Sequence, residues 1–217
     1  CYEPQLAAPP TGPAPFLENG YVTFASFNGA YKLNQALIKV WAAILHAVPA
    51  SRLMLVNVPA GGARERILAW LDAEGIDSGR LELHARLPTG EFWAAHRRAD
   101  IALDPFPCNG GATTCETLWL GVPVITLAGE NFVGRAGVSL LSNCGLAQLI
   151  AHSPEEYLAL AAGLAWDPVR LAQLRLSLRE SLPASPLLDG RAYTQALEAH
   201  YREIWRRWCG EQGRAHA

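Results

Sequence analysis

The sequence contains little lysine, no long hydrophobic run and no excess of basic charge. Of its 217 residues only Lys32 and Lys39 are lysines, although lysine and arginine together number 18. A formal net charge of −2 provides no general basic field for a nucleic acid. No apolar run reaches the ~18 residues needed to cross a membrane. We therefore expect neither a nucleic-acid-binding protein nor a membrane-spanning one.

Paired cysteines and a dinucleotide-binding fingerprint are also absent. The five cysteines are odd in number and include no C-x-x-C pair, which argues against a zinc site and against a disulfide framework. A reducing, cytoplasmic location is the simplest expectation. No G-x-G-x-x-G motif follows the first predicted strand, which argues against a dehydrogenase domain. With no signal-peptide pattern and no initiator methionine, the chain is expected to be a fragment or a processed piece.

The chain is organised around residues 100–127, which predict a strand, a glycine-bearing loop, a helix and a second strand. Residues 104–111 include two prolines, an asparagine and two glycines, a composition typical of a loop. Thr113 and Thr114 are expected to cap the helix, which ends at Gly121. A helix N-terminus thus follows a parallel strand, and α/β proteins bind phosphates and nucleotides at such positions.

Strands and helices alternate about six times. Predicted strands lie at 21–27, 51–57, 80–85, 100–104, 122–127 and 146–150. Predicted helices lie at 33–48, 64–74, 91–98, 113–120, 132–142, 153–165, 168–182 and 191–208. The alternation predicts an α/β fold with a Rossmann-like, doubly wound parallel sheet. The loops that follow the strands would share one edge of that sheet, which makes this edge the candidate site.

Three segments are expected along the chain. Residues 1–19 carry five prolines and predict a linker or an extended strap. Residues 20–183 predict the Rossmann-like lobe. Residues 184–217 predict a C-terminal segment with a long helix that has one apolar, tryptophan-bearing face.

A series of short stretches occurs in a distinctive order. These are Phe27-Asn-Gly-Ala-Tyr-Lys32, Trp41-Ala-Ala-Ile-Leu-His-Ala-Val-Pro49, Arg98-Ala-Asp100, Leu103-Asp104, Asn109-Gly-Gly-Ala-Thr-Thr114, Leu118-Trp-Leu-Gly-Val-Pro123, and Gly129-Glu130 with Arg135. Their order and spacing resemble the C-terminal catalytic lobe of O-GlcNAc transferase-type enzymes, glycosyltransferase family 41, over residues 20–208. The resemblance implies one of the two Rossmann-like lobes of a GT-B enzyme, with the nucleotide sugar in the cleft.

The resemblance implies an inverting transfer of a sugar, GlcNAc, from UDP to Ser or Thr hydroxyls of proteins. Lys32 would be the catalytic group, because a fixed cation stabilises the charge that grows on the leaving UDP. Thr113 and Thr114 would meet the phosphates, and Glu116 would accept hydrogen bonds from the ribose. The donor-binding residues implied are Asn28, Gly29, Tyr31, Lys32, Leu87, Asn109, Gly110, Gly111, Ala112, Thr113, Thr114, Glu116 and Arg135. No metal or other cofactor is implied, in agreement with the absence of an Asp-x-Asp motif.

The acceptor side is expected outside this chain. The resemblance implies that the protein acceptor binds through an N-terminal lobe and its tetratricopeptide repeats, and that the catalytic base lies there too. Residues 184–217 would pack back on that lobe.

Several positions depart from the family pattern. Phe92 stands where the family has a histidine, and Ala95 stands at a nearby arginine position. Gly111 and Ala112 replace His-Thr of animal members, and Gly29 replaces a frequent glutamine. Altered uracil and sugar contacts leave two alternatives open: a GT-B transferase with another donor or a saccharide acceptor, and a non-catalytic nucleotide-binding scaffold.

Each candidate also has a purely structural interpretation. Lys32 is then a solvated loop residue, and residues 109–111 form a plain turn. Glu116 is then favoured only by the helix dipole. Arg135 is either a phosphate ligand or a partner in an ion pair.

Overall fold

The computed structural model of the chain describes residues 1–215 and contains one six-stranded sheet. Its strands are β1 (Thr23–Ser26), β2 (Arg52–Leu55), β3 (Leu81–Leu83), β4 (Ile101–Leu103), β5 (Val124–Leu127) and β6 (Ile150–Ala151). The strand order is β3-β2-β1-β4-β5-β6, and every pairing is parallel. The predicted Rossmann-like, doubly wound sheet is therefore confirmed.

The helices cover both faces of this sheet. They are α1 (Phe16–Asn19), α2 (Gln35–Ala47), α3 (Gly62–Ala73), α4 (Thr89–Arg97), α5 (Ala112–Trp119), α6 (Ala136–Asn143), α7 (Pro154–Ala165), α8 (Pro168–Ser181) and α9 (Gly190–Ala215). Helices α2, α3 and α7 pack together, whereas α5 packs against α6 and α8. The strands β1 and β4 are buried along their whole length, as expected of parallel strands covered on both sides.

Several helices begin or end at residues that are common at helix caps. Asn34 caps α2, because its Oδ1 accepts a hydrogen bond from the Leu37 N–H at 3.0 Å. Ser153 caps α7 in the same way, and a proline begins that helix. Gly121 follows the end of α5 with a φ of 80°, a left-handed conformation that glycine adopts at little cost.

Three local predictions were wrong. Thr113 and Thr114 do not cap α5, because Gly111 occupies the N-cap and both threonines lie in the first turn. The predicted strand 146–150 is mainly a 3-10 turn, Ala147–Leu149, and β6 only begins at Ile150. The helix predicted from residue 132 begins at Ala136.

The first nineteen residues form a strap that lies against the lobe. The Phe16 N–H donates to Asp100 Oδ1 at 3.0 Å, and Arg175 Nε donates to the Gly12 carbonyl at 3.3 Å. Both Asp100 and Arg175 are buried. Two buried charged side chains, one directly before β4 and one on α8, therefore hold this strap.

The strap begins beside the segment that precedes α9, since the Tyr2 N–H donates to the Leu187 carbonyl at 2.8 Å. Helix α9 then presents a row of exposed large apolar residues, namely Tyr193, Leu197, Tyr201, Ile204, Trp205 and Trp208. No helix in the described part of the chain is both long and apolar enough to traverse a bilayer.

Candidate functional site

A cleft of about 670 Å³ opens at the carboxyl ends of β1, β2 and β3, beside the start of α5. It lies where the strand order reverses, between β1 and β4, which is the usual ligand position in open α/β sheets. Its lining residues are Phe27, Asn28, Gly29, Ala30, Tyr31, Lys32, Asn57, Pro59, Ala63, Arg66, Arg86 and Thr113. The loops after three separate strands thus converge on one concave surface.

Lys32 is fixed at the floor of this cleft by two acceptors. Its Nζ donates to Asn28 Oδ1 at 3.0 Å and to the Asn109 carbonyl at 2.7 Å. The Asn28 side chain is buried, and Lys32 itself is half-buried. Because an ammonium group has three N–H donors, one remains for a ligand in the cleft.

Asn109 fixes the glycine loop, residues 104–111, through hydrogen bonds of its side chain and its backbone N–H. Its Nδ2 donates to the Pro105 carbonyl at 3.1 Å, and its Oδ1 accepts from the Gly137 N–H at 3.3 Å. Its own N–H donates to the Val133 carbonyl at 3.0 Å. The buried side chain of Asn109 is therefore structural, and only its carbonyl reaches Lys32.

Gly110 is required by the close approach of its neighbours. A Cβ at this position would lie 2.2 Å from Thr114 Oγ1, 3.0 Å from Asp104 Oδ1 and 3.3 Å from Asn28 Oδ1. The Gly110 N–H donates to Asp104 Oδ1 at 2.7 Å. Any side chain here would force the loop away from β1 and α5.

Asp104 is a fully buried carboxylate beneath the loop. Its Oδ2 accepts from Thr126 Oγ1 at 2.7 Å, and its backbone carbonyl accepts from the Tyr157 hydroxyl at 3.0 Å. Burial raises the pKa of Asp104 to about 7, although the hydrogen bonds from Gly110 and Thr126 and the charge of Lys32 lower it. The ionisation state of this carboxyl group beneath the loop therefore depends on Gly110, Thr126 and Lys32.

The first turn of α5 provides further positive potential. Helix geometry leaves the N–H groups of Ala112, Thr113 and Thr114 without intrahelical partners. Among the described residues no side chain caps this end. Thr113 lines the cleft, while Thr114 is buried below it. The site therefore combines an ammonium group with an open helix N-terminus, a combination that suits an anion.

A second cavity of about 220 Å³ continues from the cleft, and the two share Asn57 and Arg86. Its other lining residues are Gln5, Leu87, Thr89, Phe92 and Glu116. Glu116 Oε1 accepts a hydrogen bond from Trp93 Nε1 at 3.3 Å, and within the described chain its Oε2 accepts none. A carboxylate oxygen is therefore available to hydroxyl groups of a ligand.

Phe92 gives this second cavity an apolar wall. Its ring packs edge-on against Phe27, with a centroid distance of 5.7 Å, and against His96 at 4.5 Å. Burial lowers the pKa of His96 to about 3, so the stacked imidazole is neutral. Ala95 is buried in the core and lines neither cavity.

The predicted site residues fall into five groups. Asn28, Gly29, Tyr31, Lys32 and Thr113 line the cleft, whereas Leu87 and Glu116 line the second cavity. Asn109, Gly110 and Thr114 lie beneath the cleft, and Ala112 is exposed at the start of α5. Gly111 and Arg135 line a separate cavity of about 570 Å³.

Arg135 lines neither the cleft nor the second cavity. Its Nη1 donates to the Gly129 carbonyl at 3.3 Å, and it forms no ion pair with the residues that the structure describes. The interpretation as an ion-pair partner is therefore wrong for this arrangement.

Sequence reasoning missed four residues of the site, namely Asn57, Arg66, Arg86 and Asp104. Asn57 has a φ of 68°, and its Nδ2 donates to the Phe27 carbonyl at 2.9 Å, which ties the loops after β1 and β2 together. An asparagine at the end of a predicted strand was the available signal, because asparagine tolerates the left-handed region. The two arginines add positive charge at the rim of the cleft.

Known proteins are similar to this chain over most of its length. The sequence model of glycosyl transferase family 41 matches residues 15–197. A Petunia hybrida protein described as a probable UDP-N-acetylglucosamine–peptide N-acetylglucosaminyltransferase, SPINDLY, is 45% identical over 212 residues, which are 96% of this chain and 23% of the relative. A Caenorhabditis elegans UDP-N-acetylglucosamine–peptide N-acetylglucosaminyltransferase is 30% identical over 192 residues, 88% of this chain and 17% of the relative. The chain thus spans less than a quarter of these curated relatives.

Solved structures share the fold. A lysine-to-methionine mutant of Thermobaculum terrenum O-GlcNAc transferase superposes with a TM-score of 0.86 at 36% identity, covering 96% of this chain and 40% of that one. Sucrose-phosphate synthase from Thermosynechococcus elongatus has a TM-score of 0.61 at 14% identity, covering 91% of this chain and 50% of that one, a likeness of fold alone. The fold is a lobe of a GT-B glycosyltransferase, and the chain belongs to glycosyl transferase family 41.

Proposed function

We propose that this lobe binds the nucleotide-sugar donor of a GT-B transferase and stabilises the nucleoside diphosphate as it leaves. The complete protein would transfer GlcNAc from UDP, with inversion, to Ser or Thr hydroxyls of proteins in the cytoplasm. The observation that carries this proposal is the Lys32 ammonium, held by Asn28 and Asn109 beside the uncapped start of α5. The names of the relatives support the donor and the protein acceptor.

The chemistry follows from where charge develops. As the glycosidic bond breaks, negative charge grows on the diphosphate, and a preorganised cation stabilises that charge more than it stabilises the intact donor. Lys32, the first-turn N–H groups of α5 and the Thr113 hydroxyl would supply hydrogen bonds to its oxygens. These groups provide the positive charge for which other transferases use a metal ion, so we propose a reaction without metal or other cofactor.

The nucleoside would occupy the second cavity. Glu116 would accept hydrogen bonds from the ribose hydroxyls through its free Oε2, and Leu87 and Phe92 would contact the base. The acceptor and the catalytic base would come from the rest of the protein, beyond this lobe. The apolar face of α9 would pack against that part, since its large side chains are exposed here.

The proposal is tested by calorimetric titration of UDP into the protein. Lys32→Ala should weaken UDP binding by about tenfold or more, because a hydrogen bond to a charged group is worth ~1.5–3 kcal/mol. The matched control is Lys39→Ala, which removes the only other lysine at an exposed position of α2 and should leave affinity unchanged. Equal affinities for UDP and ADP, unaffected by Lys32→Ala, would contradict the proposal.

Phe92 favours a second candidate function, a GT-B transferase that uses another donor. A family histidine position is occupied here by an apolar ring that lines the nucleoside cavity, so the base is recognised differently. Titrations with GDP and ADP, followed by turnover assays with the matching sugar nucleotides, distinguish the candidates. Binding without any turnover by the full-length protein would favour a non-catalytic scaffold.

A further inference from the structure

The peptide group between Asn109 and Gly110 lies between an ammonium group and a buried carboxyl group. Its carbonyl oxygen accepts a hydrogen bond from Lys32 Nζ at 2.7 Å, and its N–H donates to Asp104 Oδ1 at 2.7 Å. Asp104 is only 1% exposed. In a buried environment such hydrogen bonds in series polarise one another. The carboxylate and the ammonium therefore interact through this single peptide group.

We propose that Asp104 is a positioning residue for Lys32. It fixes the 109–110 peptide with its carbonyl towards the ammonium, so that one N–H of Lys32 stays available to the nucleoside diphosphate. This inference rests on the proposed function of Lys32. Because Gly110 has no side chain to restrain it, the peptide needs an external acceptor for its N–H. Without that acceptor the carbonyl can turn away, and Lys32 keeps only Asn28 as a partner.

Asp104 also has contacts that are purely structural. Its Oδ2 binds the Thr126 hydroxyl, and its carbonyl accepts from the buried hydroxyl of Tyr157. A Cβ on Gly137 would lie 2.9 Å from Oδ2, which brings α6 close to this carboxylate as well. A loss of activity on mutation is therefore insufficient evidence, and the test must ask whether the effect of Asp104 depends on Lys32.

A double-mutant cycle on the full-length protein provides this test. Turnover is measured for the wild type, Asp104→Ala, Lys32→Met and the double variant, with thermal unfolding of each as a check on folding. Asp104→Ala removes the acceptor of the Gly110 N–H, so it should lower kcat by about tenfold when Lys32 is present and by less than about twofold when it is methionine, because coupled residues are not additive.

The matched control is Asp100→Ala. Asp100 is as buried as Asp104 and directly precedes β4, the strand that Asp104 follows. It accepts hydrogen bonds from the backbone N–H groups of Phe16 and Thr23, away from the glycine loop. Its replacement should change kcat by less than about twofold in either background, as expected for an independent site.

The outcomes separate the inference from the function on which it rests. Equal losses with Asp104→Ala in both backgrounds, or no loss in either, would overturn the positioning role alone. Unchanged turnover in Lys32→Met would overturn the proposed function of Lys32 and this inference with it. If Asp104→Ala fails to fold, Thr126→Val in the same cycle loosens the carboxylate instead, and Thr126→Ser should restore activity. If Thr126→Val lowers kcat by the same factor in the Lys32→Met background, the inference is also overturned.

Discussion

Glu116 is a candidate ligand-binding residue, and the protein engages only one of its two carboxylate oxygens. Trp93 binds one carboxylate oxygen and fixes the side chain at the edge of the second cavity. The helix dipole alone would favour an acidic residue near the start of α5. Only an effect that depends on the ribose hydroxyls can distinguish the two roles.

We expect Glu116→Ala to weaken UDP binding by about tenfold, since a charge-assisted hydrogen bond is lost. Binding of 2′,3′-dideoxy-UDP should change little, because that nucleotide has no ribose hydroxyls to donate. Calorimetry with both nucleotides measures the difference, and Glu91→Ala, in the first turn of α4, is the matched control. The same loss for both nucleotides would remove Glu116 from ribose recognition.

The residues that carry the site differ in how visible they are in the sequence. Lys32 is conspicuous because it follows a strand and a glycine in a chain with only two lysines. Asp104 also ends a strand, but its role depends on partners 6 and 22 positions away. The contact with Thr126 arises only when β4 and β5 are adjacent in the sheet, and spacing along the chain does not reveal it.

At the scale of elements, short apolar runs predicted the strands because both faces of a parallel sheet are buried. The cap of α5 was mispredicted since threonine is a common N-cap, whereas here Gly111 takes that position and both threonines enter the helix. The strap was expected to be extended, yet its attachment depends on Asp100 and Arg175, which no local pattern in residues 1–19 indicates.

Arg175, on helix α8, links the strap to the rest of the lobe. It is 1% exposed, and its Nη1 donates to the Ala99 carbonyl at 2.7 Å. Arg175→Met should lower the free energy of unfolding by about 2 kcal/mol, because it leaves the carbonyl groups of Gly12 and Ala99 without their hydrogen-bond donor. Denaturant unfolding measures the change, and limited proteolysis should cleave the strap sooner. Arg170→Met, exposed on the same helix, should have neither effect.

At the scale of the whole molecule, buried titratable groups make stability depend on pH in two opposite ways. Burial raises the pKa of Asp100 to about 6 and that of Asp104 to about 7. The native state then retains protons that the unfolded state has released, so stability falls as pH rises through these values. Burial lowers the pKa of His96 to about 3, so its contribution is instead lost as pH falls below the ordinary histidine value.

We expect the wild type to lose about 1 kcal/mol of stability relative to Asp100→Asn between pH 5 and pH 8, since only the wild type must ionise this buried carboxyl. Urea unfolding of both proteins at several pH values measures the slope. A constant difference across this range would mean that Asp100 has an ordinary pKa in the folded protein.

The hydrogen bond between Tyr2 and Leu187 brings two distant parts of the chain together. Cys1 Sγ lies 3.9 Å from where a Cβ on Gly190 would be, so position 1 and the start of α9 are neighbours. A linker of about three residues, at ~3.5 Å each, would therefore join them. Residues 1–189, without α9, are thus suited to circular permutation: their backbone could be closed there and opened at an exposed loop, such as residues 131–133, with every strand keeping its neighbours.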